Sequence, residues 1–563
     1  MSTTPPRRVA IVGSGASGMS AAYALSKHPD KFSVTVFEKQ DVPGGMATSI
    51  DIDADKFGAS YINDGVQGCS PAFANTMRLF RELGYEATEV DMQISFGKGG
   101  DFWSNVFPSE LTAHFAGDIK KFGRALKVIK ALEGPFALVP VHVMLRLFGF
   151  SKDFGEKMVY PLVALFFGTG NQTPYISSAI LERVFKDPSM KLFEYNDKSL
   201  LASIPKMYAF PKLHDVYSAW RDATAASGNV TFRYAHEVTG VVERTKGHVV
   251  VEYRLPPGIE SASSSQSSSN GADLTTTVFD AIILAVDADA ALKLLSAGKG
   301  PSWLEKKILG AVKYLRDVTI THSDADYMRK YYETAFNPDL AAKPENEGGN
   351  AEDGSSSEQD ALAFARDNFR PLYYTMQYPE NRAKLEMSFD LTHYQPQFRG
   401  VGPRGPVAKD KQSDAQGDTA GSSGSESGDD AKDKEPPFER HVFQTIFLDE
   451  EGSSKLWTIG DIKKEDRIYE KWWKQQSHRW QHYARVVPWM WMINGKSNTY
   501  YAGAWTVLNM HELAVTSGFA AAYQLGADYP FKGDEDCQRL FALYLGLSHG
   551  SRMRKEDRKG IMA

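Results

Sequence analysis

The order of apolar and polar positions sorts the chain into a few strong elements. Residues 8–12 (RVAIV) form a short unbroken apolar run, which predicts a buried central strand. Residues 13–18 (GSGASG) break it, and MSAAYALSKH then reads as a helix. Residues 32–38 (FSVTVFE) predict a second strand, so the opening is a βαβ unit. Residues 71–83 place apolar side chains at helical spacing and stop at Gly84. Strands are predicted in VTFRYAHEVTGVVER, HVVVEYR and FDAIILAV (279–286). Alternation over 373–391 and 442–448 predicts a second sheet, and residues 499–525 predict a strand running into a helix.

Three stretches interrupt this pattern: 256–277, 339–360 and 401–437. They are rich in Ser, Gly, Asp, Glu and Asn, too polar to offset the entropy of ordering, and are expected to be disordered insertions. The most apolar stretch, residues 135–150 (PFALVPVHVMLRLFGF), is too short for a bilayer span and contains Arg146. It predicts a buried helix or one lining an apolar pocket.

Composition removes some function classes. The formal charge of −6 argues against general nucleic-acid binding. Two cysteines, Cys69 and Cys537, exclude a disulfide framework and a cysteine-held zinc or iron–sulfur cluster. No secretory pattern opens the chain, so the expected location is cytoplasmic. His478 and His482 stand four apart but have no third ligand, His511-Glu512 lacks a second histidine, and no metal centre is expected. The tryptophans between 472 and 491 read as core. The basic end, residues 551–559 (SRMRKEDRK), reads as a solvated terminus with scope for a weak membrane-surface contact.

The glycines carry the chemistry. Gly13 allows a tight turn, Gly15 lets a pyrophosphate approach the backbone, and Gly18 lets the helix pack on the sheet. With Ser14, Ala16 and Ser17 they form a phosphate-binding turn at a helix N-terminus. Glu38, at the end of the second strand, suits an adenosine ribose and disfavours the 2′-phosphate of NADP. Gly44-Gly45 brings backbone close to where the ribityl–pyrophosphate of a flavin would lie.

These residues resemble the flavin-containing amine oxidase superfamily, and more particularly its branch of NAD/FAD-binding flavoproteins similar to phytoene desaturases and fatty-acid double-bond isomerases. The carrying segments are VAIVGSGASGMSAAYAL, VTVFEKQDVPGGMATSIDID, SPAFANTMRLFRELG, LFFGTGNQTPYISSAILERVF, FDAIILAVDADAALKLL, ILGAVKYLRDVTITHSDADYM and INGKSNTYYAGAWTVLNMHELAVTSGFAAA. The resemblance implies an α/β fold: a glutathione-reductase-like FAD domain, with a doubly wound parallel sheet, and an interleaved α+β substrate domain. The FAD domain is expected from 7–67, 228–300 and 498–528, the substrate domain from 68–227 and 301–497, and a tail from 529–563.

It also implies that Val238 meets the adenine through its backbone, that Gly503 meets the flavin, and that Leu513, Ala514 and Val515 point N–H groups at the flavin N1/O2 edge. Three positions depart from the family: Met46 replaces an Arg or His, Lys56 stands where an acid is usual, and His511-Glu512-Leu513-Ala514 replaces His-Glu-Asp-Gly. The expected activity is an FAD-dependent oxidase or desaturase moving hydride from an apolar organic small molecule to flavin N5, with oxygen or another acceptor reoxidising it. A redox-neutral double-bond isomerase and a non-catalytic escort protein are the alternatives. Tyr501, Trp505 and Tyr374, with His322, are the side-chain candidates near the ring, Tyr501 and Trp505 because strand alternation would set them on the side of Gly503.

Overall fold

The computed structural model describes residues 5–167, 170–187, 193–201, 204–255, 274–343, 355–399 and 436–558. Five parallel strands form one sheet, in the order Val230–Arg233, Phe32–Phe37, Arg7–Val12, Ala281–Leu284 and Thr499–Tyr501. The central strands are buried on both faces, as their unbroken apolar runs require. The helix Ala16–Ser26 leaves the first strand and is buried from Ser17 to Ser26. The sheet, the helix Leu213–Ala225 and the helix His511–Leu525 all pack against it.

A second sheet has seven strands, in the order Arg467–Gln476, Tyr314–His322, Phe443–Phe447, Asn381–Asp390, Tyr373–Tyr378, Ile94–Phe96 and Trp103–Ser104. Its pairs are antiparallel except Tyr373–Tyr378 with Ile94–Phe96. The two faces differ. One carries Val318, Ile320, Tyr374, Met376, Phe443 and Phe447 in one apolar cluster. The other turns Leu385, Met387 and Ile446 toward Ala164 of the helix Tyr160–Phe167. A small antiparallel sheet of Glu237–Thr245, His248–Arg254 and Leu274–Phe279 completes the strands that bear on the site.

Four expectations change. Residues 274–277 join a strand, because the run Leu-Thr-Thr-Thr-Val-Phe is rich in β-branched side chains and pairs with His248–Arg254. Asp339 and Leu340 form a short 3-10 turn, and a helix covers Ser355–Asn368. Pro436 and Pro437 are ordered backbone ahead of a 3-10 turn. Ala341 bridges to Ser109, and Ala342 N–H donates to the Pro108 carbonyl at 2.9 Å. Residues 256–273, 344–354 and 401–435 lie outside the described residues. The apolar run 135–150 is two short helices, Glu133–Ala137 and Val141–Leu147, divided at Pro140. Proline has no N–H to continue the first helix, and Leu138 and Leu147 end up 50% and 66% exposed. Among the described residues, no helix is long and apolar enough to cross a membrane.

Candidate functional site

Two of the three motif glycines are demanded by the protein itself. A Cβ on Gly18 would lie 1.9 Å from the Gly13 carbonyl oxygen, and one on Gly13 would lie 2.5 Å from the Ala285 carbonyl oxygen. Gly15 is different. Its φ of −70° suits any residue, and the nearest atom to its Cβ position would be Gly45 Cα at 3.8 Å. A Cβ there would meet only ordinary contact with the Gly44–Gly45 turn, so protein packing gives no reason for glycine, which fits a ligand's close approach to the backbone. The helix then begins at Ala16 with no side-chain cap, its first turn of N–H groups facing that space.

Gly44 runs parallel to Gly15 and donates its N–H to the Ser14 carbonyl at 3.1 Å. Gly45 has φ +61°, and a Cβ on it would press to 3.1 Å from Gly15 Cα. Met46 is 40% exposed and leaves the turn without a charge.

Glu38 is buried and faces the same turn. One carboxylate oxygen accepts from Ser14 N (2.8 Å) and Ser14 Oγ (2.9 Å), the other from Gln40 N (3.0 Å). These bonds orient the carboxylate while leaving it acceptor capacity for a ribose. The backbone of Ala235 and His236 bonds to Gln40 and Glu38, which brings Val238 beside the acid. Ser14 therefore holds Glu38, a role that its place in the glycine motif did not reveal.

The other end of the chain meets this turn. Ser517 Oγ donates to Ser17 Oγ at 3.2 Å and accepts from Gly503 N at 2.9 Å. A Cβ on Gly518 would lie 2.0 Å from the Ser17 carbonyl oxygen, so the first and last helices of this layer cross in backbone contact. The helix His511–Leu525 also begins without a side-chain cap. From His511 to Ser517 is about 9 Å of helix axis. Two uncapped helix N-termini thus open near each other, at a spacing that fits the two ends of a flavin–pyrophosphate unit. Leu513 and Val515 bury their side chains in the core, and Ala514 is half-buried. The Ala514 N–H is taken by the Met510 carbonyl at 3.0 Å, so of the three expected amides only that of Leu513 lies among the free N–H groups of the first turn.

His511 and Glu512 fasten that helix. Glu512 accepts from Asn75 N, Asn75 Nδ2 and Thr76 N, each at 2.8 Å, at the start of the helix Ala74–Glu82. Burial raises its carboxyl above the ordinary range, and these donors pull it back. His511 sits between Thr76 Oγ1 (3.1 Å) and Tyr217 OH (2.8 Å), and burial lowers its imidazole to about 4.

The side-chain candidates are redistributed. Tyr501 is fully buried and donates to Glu305 at 2.6 Å, inside an Arg244–Glu305 ion pair. The strand ends at Tyr501, so the alternation that would have put Tyr501 and Trp505 on one side does not extend to Trp505. Trp505 lies in the 3-10 turn Ala504–Thr506, with its indole N–H on the Val286 carbonyl and its ring against Gly503. Tyr374 points away from the inter-sheet space, packing on Tyr332 at 5.6 Å. His322 shares that far side, bonded to Thr445 Oγ1 at 2.9 Å and lowered to about 3 by burial.

The facing side of the second sheet carries residues that the motifs did not single out. Lys471 Nζ donates to Thr48 Oγ1 and Asp64 Oδ2, both at 2.7 Å. Trp473 bonds Thr319 Oγ1 at 2.8 Å, and its ring would lie 2.8 Å from a Cβ on Gly65. Gln444 links to Gln67 at 2.5 Å and to the Asp64 carbonyl at 3.2 Å. Gln67 Oε1, Thr321 Oγ1 and Thr375 Oγ1 are buried without a hydrogen-bond partner. The two threonines share strand parity with the half-buried Tyr373, Phe389 and Ile446. The face is therefore apolar with a few polar atoms left for another molecule.

The profile of the NAD(P)-binding Rossmann-like domain family matches residues 11–83. No curated protein sequence matches the chain. Among solved structures it is similar to a CLA-producing fatty acid isomerase from P. acnes, at 11% identity and TM-score 0.52, over 93% of this chain and 99% of that one. It is similar to a putrescine oxidase with putrescine bound, at 12% identity and TM-score 0.53, over 92% and 99%. A cyclohexylamine oxidase from Brevibacterium oxydans gives 12% identity and TM-score 0.52, over 92% and 100%. Residues 11–83 thus match a Rossmann-like domain, and the chain as a whole shares the fold of these amine oxidases.

Proposed function

We propose that this chain is an FAD-dependent oxidoreductase acting on an apolar organic small molecule. The observation that carries the reading is the meeting of two uncapped helix N-termini, at Ala16 and His511, joined through Ser17, Ser517 and Gly503. An NAD site needs only the first. The second suits a group that gathers negative charge at its far end, as reduced flavin does.

Bound flavin would supply hydride acceptance. The chain does the rest. Glu38 and Val238 hold the adenosine half, Gly44 and Gly45 bring backbone to the ribityl–pyrophosphate, the Ala16–Gly18 amides face the pyrophosphate, and the free N–H groups that open the helix His511–Leu525, up to Leu513, face the ring edge. Lys471, set by Asp64 and Thr48, places a cation beside the space between the sheets. Met387, Phe389 and Ile446 exclude water, and Gln67, Thr321 and Thr375 orient the few polar atoms of the substrate. Oxygen or another acceptor completes the cycle in an oxidase or desaturase.

A redox-neutral isomerase is the second reading, favoured by the same apolar wall and by the fold shared with a fatty acid isomerase. The purified full-length protein is expected to be yellow and to release FAD on denaturation, identified by mass. Colourless protein that stays apo with added FAD defeats the proposal. Anaerobic bleaching by substrate marks net oxidation; a product of unchanged mass with no acceptor consumed marks isomerisation.

A further inference from the structure

We propose that Asp390, His393 and His441 form a site for a zinc-type divalent cation, apart from the dinucleotide cleft. Asp390 ends the strand Asn381–Asp390, His393 follows in the turn Leu391–Tyr394, and His441 precedes the strand Phe443–Phe447. All three are buried, and their ligand atoms lie within 4.8 Å of one another.

The hydrogen-bond chemistry calls for a positive charge among them. His441 Nε2 faces the Pro436 carbonyl oxygen at 2.9 Å, and its Nδ1 faces Asp390 Oδ2 at 2.8 Å. Both neighbours only accept. A neutral ring donates through one nitrogen and presents a lone pair at the other. With the N–H on Pro436, the Nδ1 lone pair is aimed at a carboxylate, which is repulsive unless a positive charge, a metal ion or a second ring proton, is supplied there. A backbone carbonyl holding the outer N–H is also the usual support for a metal-bound histidine.

His393 Nδ1 reaches the same Asp390 oxygen at 3.2 Å, with the Pro371 carbonyl oxygen 3.1 Å away. The two rings stand nearly perpendicular, at 82°, so their nitrogens approach Asp390 from different directions. In a tetrahedral zinc site with bonds of about 2.0–2.2 Å, donor atoms sit roughly 3.4 Å apart, so small ring shifts suffice. Nitrogen and oxygen donors without sulfur suit zinc over softer ions. Asp390 Oδ1 is occupied in accepting from Thr392 N and His393 N.

The position gives the cation a purpose. It would join residue 393 to residue 441 across the long polar insertion between them. It would also brace Gln395, whose side chain bonds both the N–H and the carbonyl of Asn63, just before the Asp64–Gln67 segment of the cleft.

The test uses the full-length protein, stripped with chelator and dialysed, then titrated with Zn²⁺ and, separately, Co²⁺. One equivalent of Zn²⁺ is expected to bind tightly, and Co²⁺ is expected to give the strong visible bands of a tetrahedral site in a difference spectrum against the zinc form. His441→Gln should weaken binding by on the order of 100-fold or more, and His214→Gln, outside the cluster, should leave it unchanged. If the stripped wild-type protein takes up no tight equivalent and Co²⁺ stays in its hydrated form, the charge is a proton on His441 and the proposal falls. The wild-type titration decides this even if a variant does not fold.

Discussion

The parallel sheet and the seven-stranded sheet use their residues in opposite ways. In the first, the proposed site rests on backbone: missing side chains at Gly13, Gly15 and Gly18, free N–H groups at two helix starts, and one carboxylate held by Ser14. In the second, buried side chains do the work. Glu386 alone accepts from Tyr327 OH, Tyr378 OH, Thr458 N and Thr458 Oγ1. Backbone chemistry leaves a short local signature, whereas a side-chain network leaves scattered residues with no common spacing.

That contrast can be attacked directly. Glu386→Ala strands four donors in the second sheet and should cost at least about 3 kcal/mol in urea unfolding, with Glu386→Gln recovering part of it. Gly18→Ala drives a methyl into the Gly13 carbonyl and should cost roughly 2–3 kcal/mol, although alanine favours helices. If Gly18→Ala were neutral, the claim that backbone contact fixes the turn would be wrong.

His511 offers a test by pH. Its folded imidazole, at about 4, lies below the ordinary 6.5. The unfolded chain therefore takes the proton first, and the stability is complete above about 6.5 and lost as pH falls toward 4. Wild-type protein should lose about 2 kcal/mol from this group between about pH 7 and pH 5. His511→Gln should show a shallower dependence over that window in thermal melts. The smallest effect on stability is expected for Gly15→Ala, within about 0.5 kcal/mol, because no protein atom crowds that position. Its FAD affinity should nonetheless drop by roughly tenfold, read by release of flavin on dilution. A variant that binds FAD normally would remove the distinction drawn between Gly15 and Gly18.

The sequence made the parallel sheet legible because a strand, a glycine turn, a helix and Glu38 fall within forty residues and share one purpose. The late strand and helix were legible too, through apolar runs and the Gly503 region. Parity in the second sheet was not. Alternation announced strands at 373–391, but which face looks inward depends on partners far along the chain, and so Tyr374 was singled out where Tyr373 has the facing position. Lys471 and Asp64 are 407 residues apart, and no local pattern joins them. The Asp390, His393 and His441 cluster escaped for the same reason, since a polar insertion separates its members. Pro140 was visible, yet the hydrophobicity around it outweighed it.

The crossing of Ser17 with Ser517 joins residues 500 positions apart. At about 5–20 residues per second on the ribosome, the nascent first helix waits roughly half a minute or longer for the segment that covers it. Until then a small-residue helix face that folding buries, and the unfinished edge of a parallel sheet, stand bare, an invitation to chaperones and to self-association. The crossing does not exist until the segment around Ser517 has been made, so loading of any dinucleotide across it waits for that segment, and chains cut short before it cannot be rescued by adding the ligand.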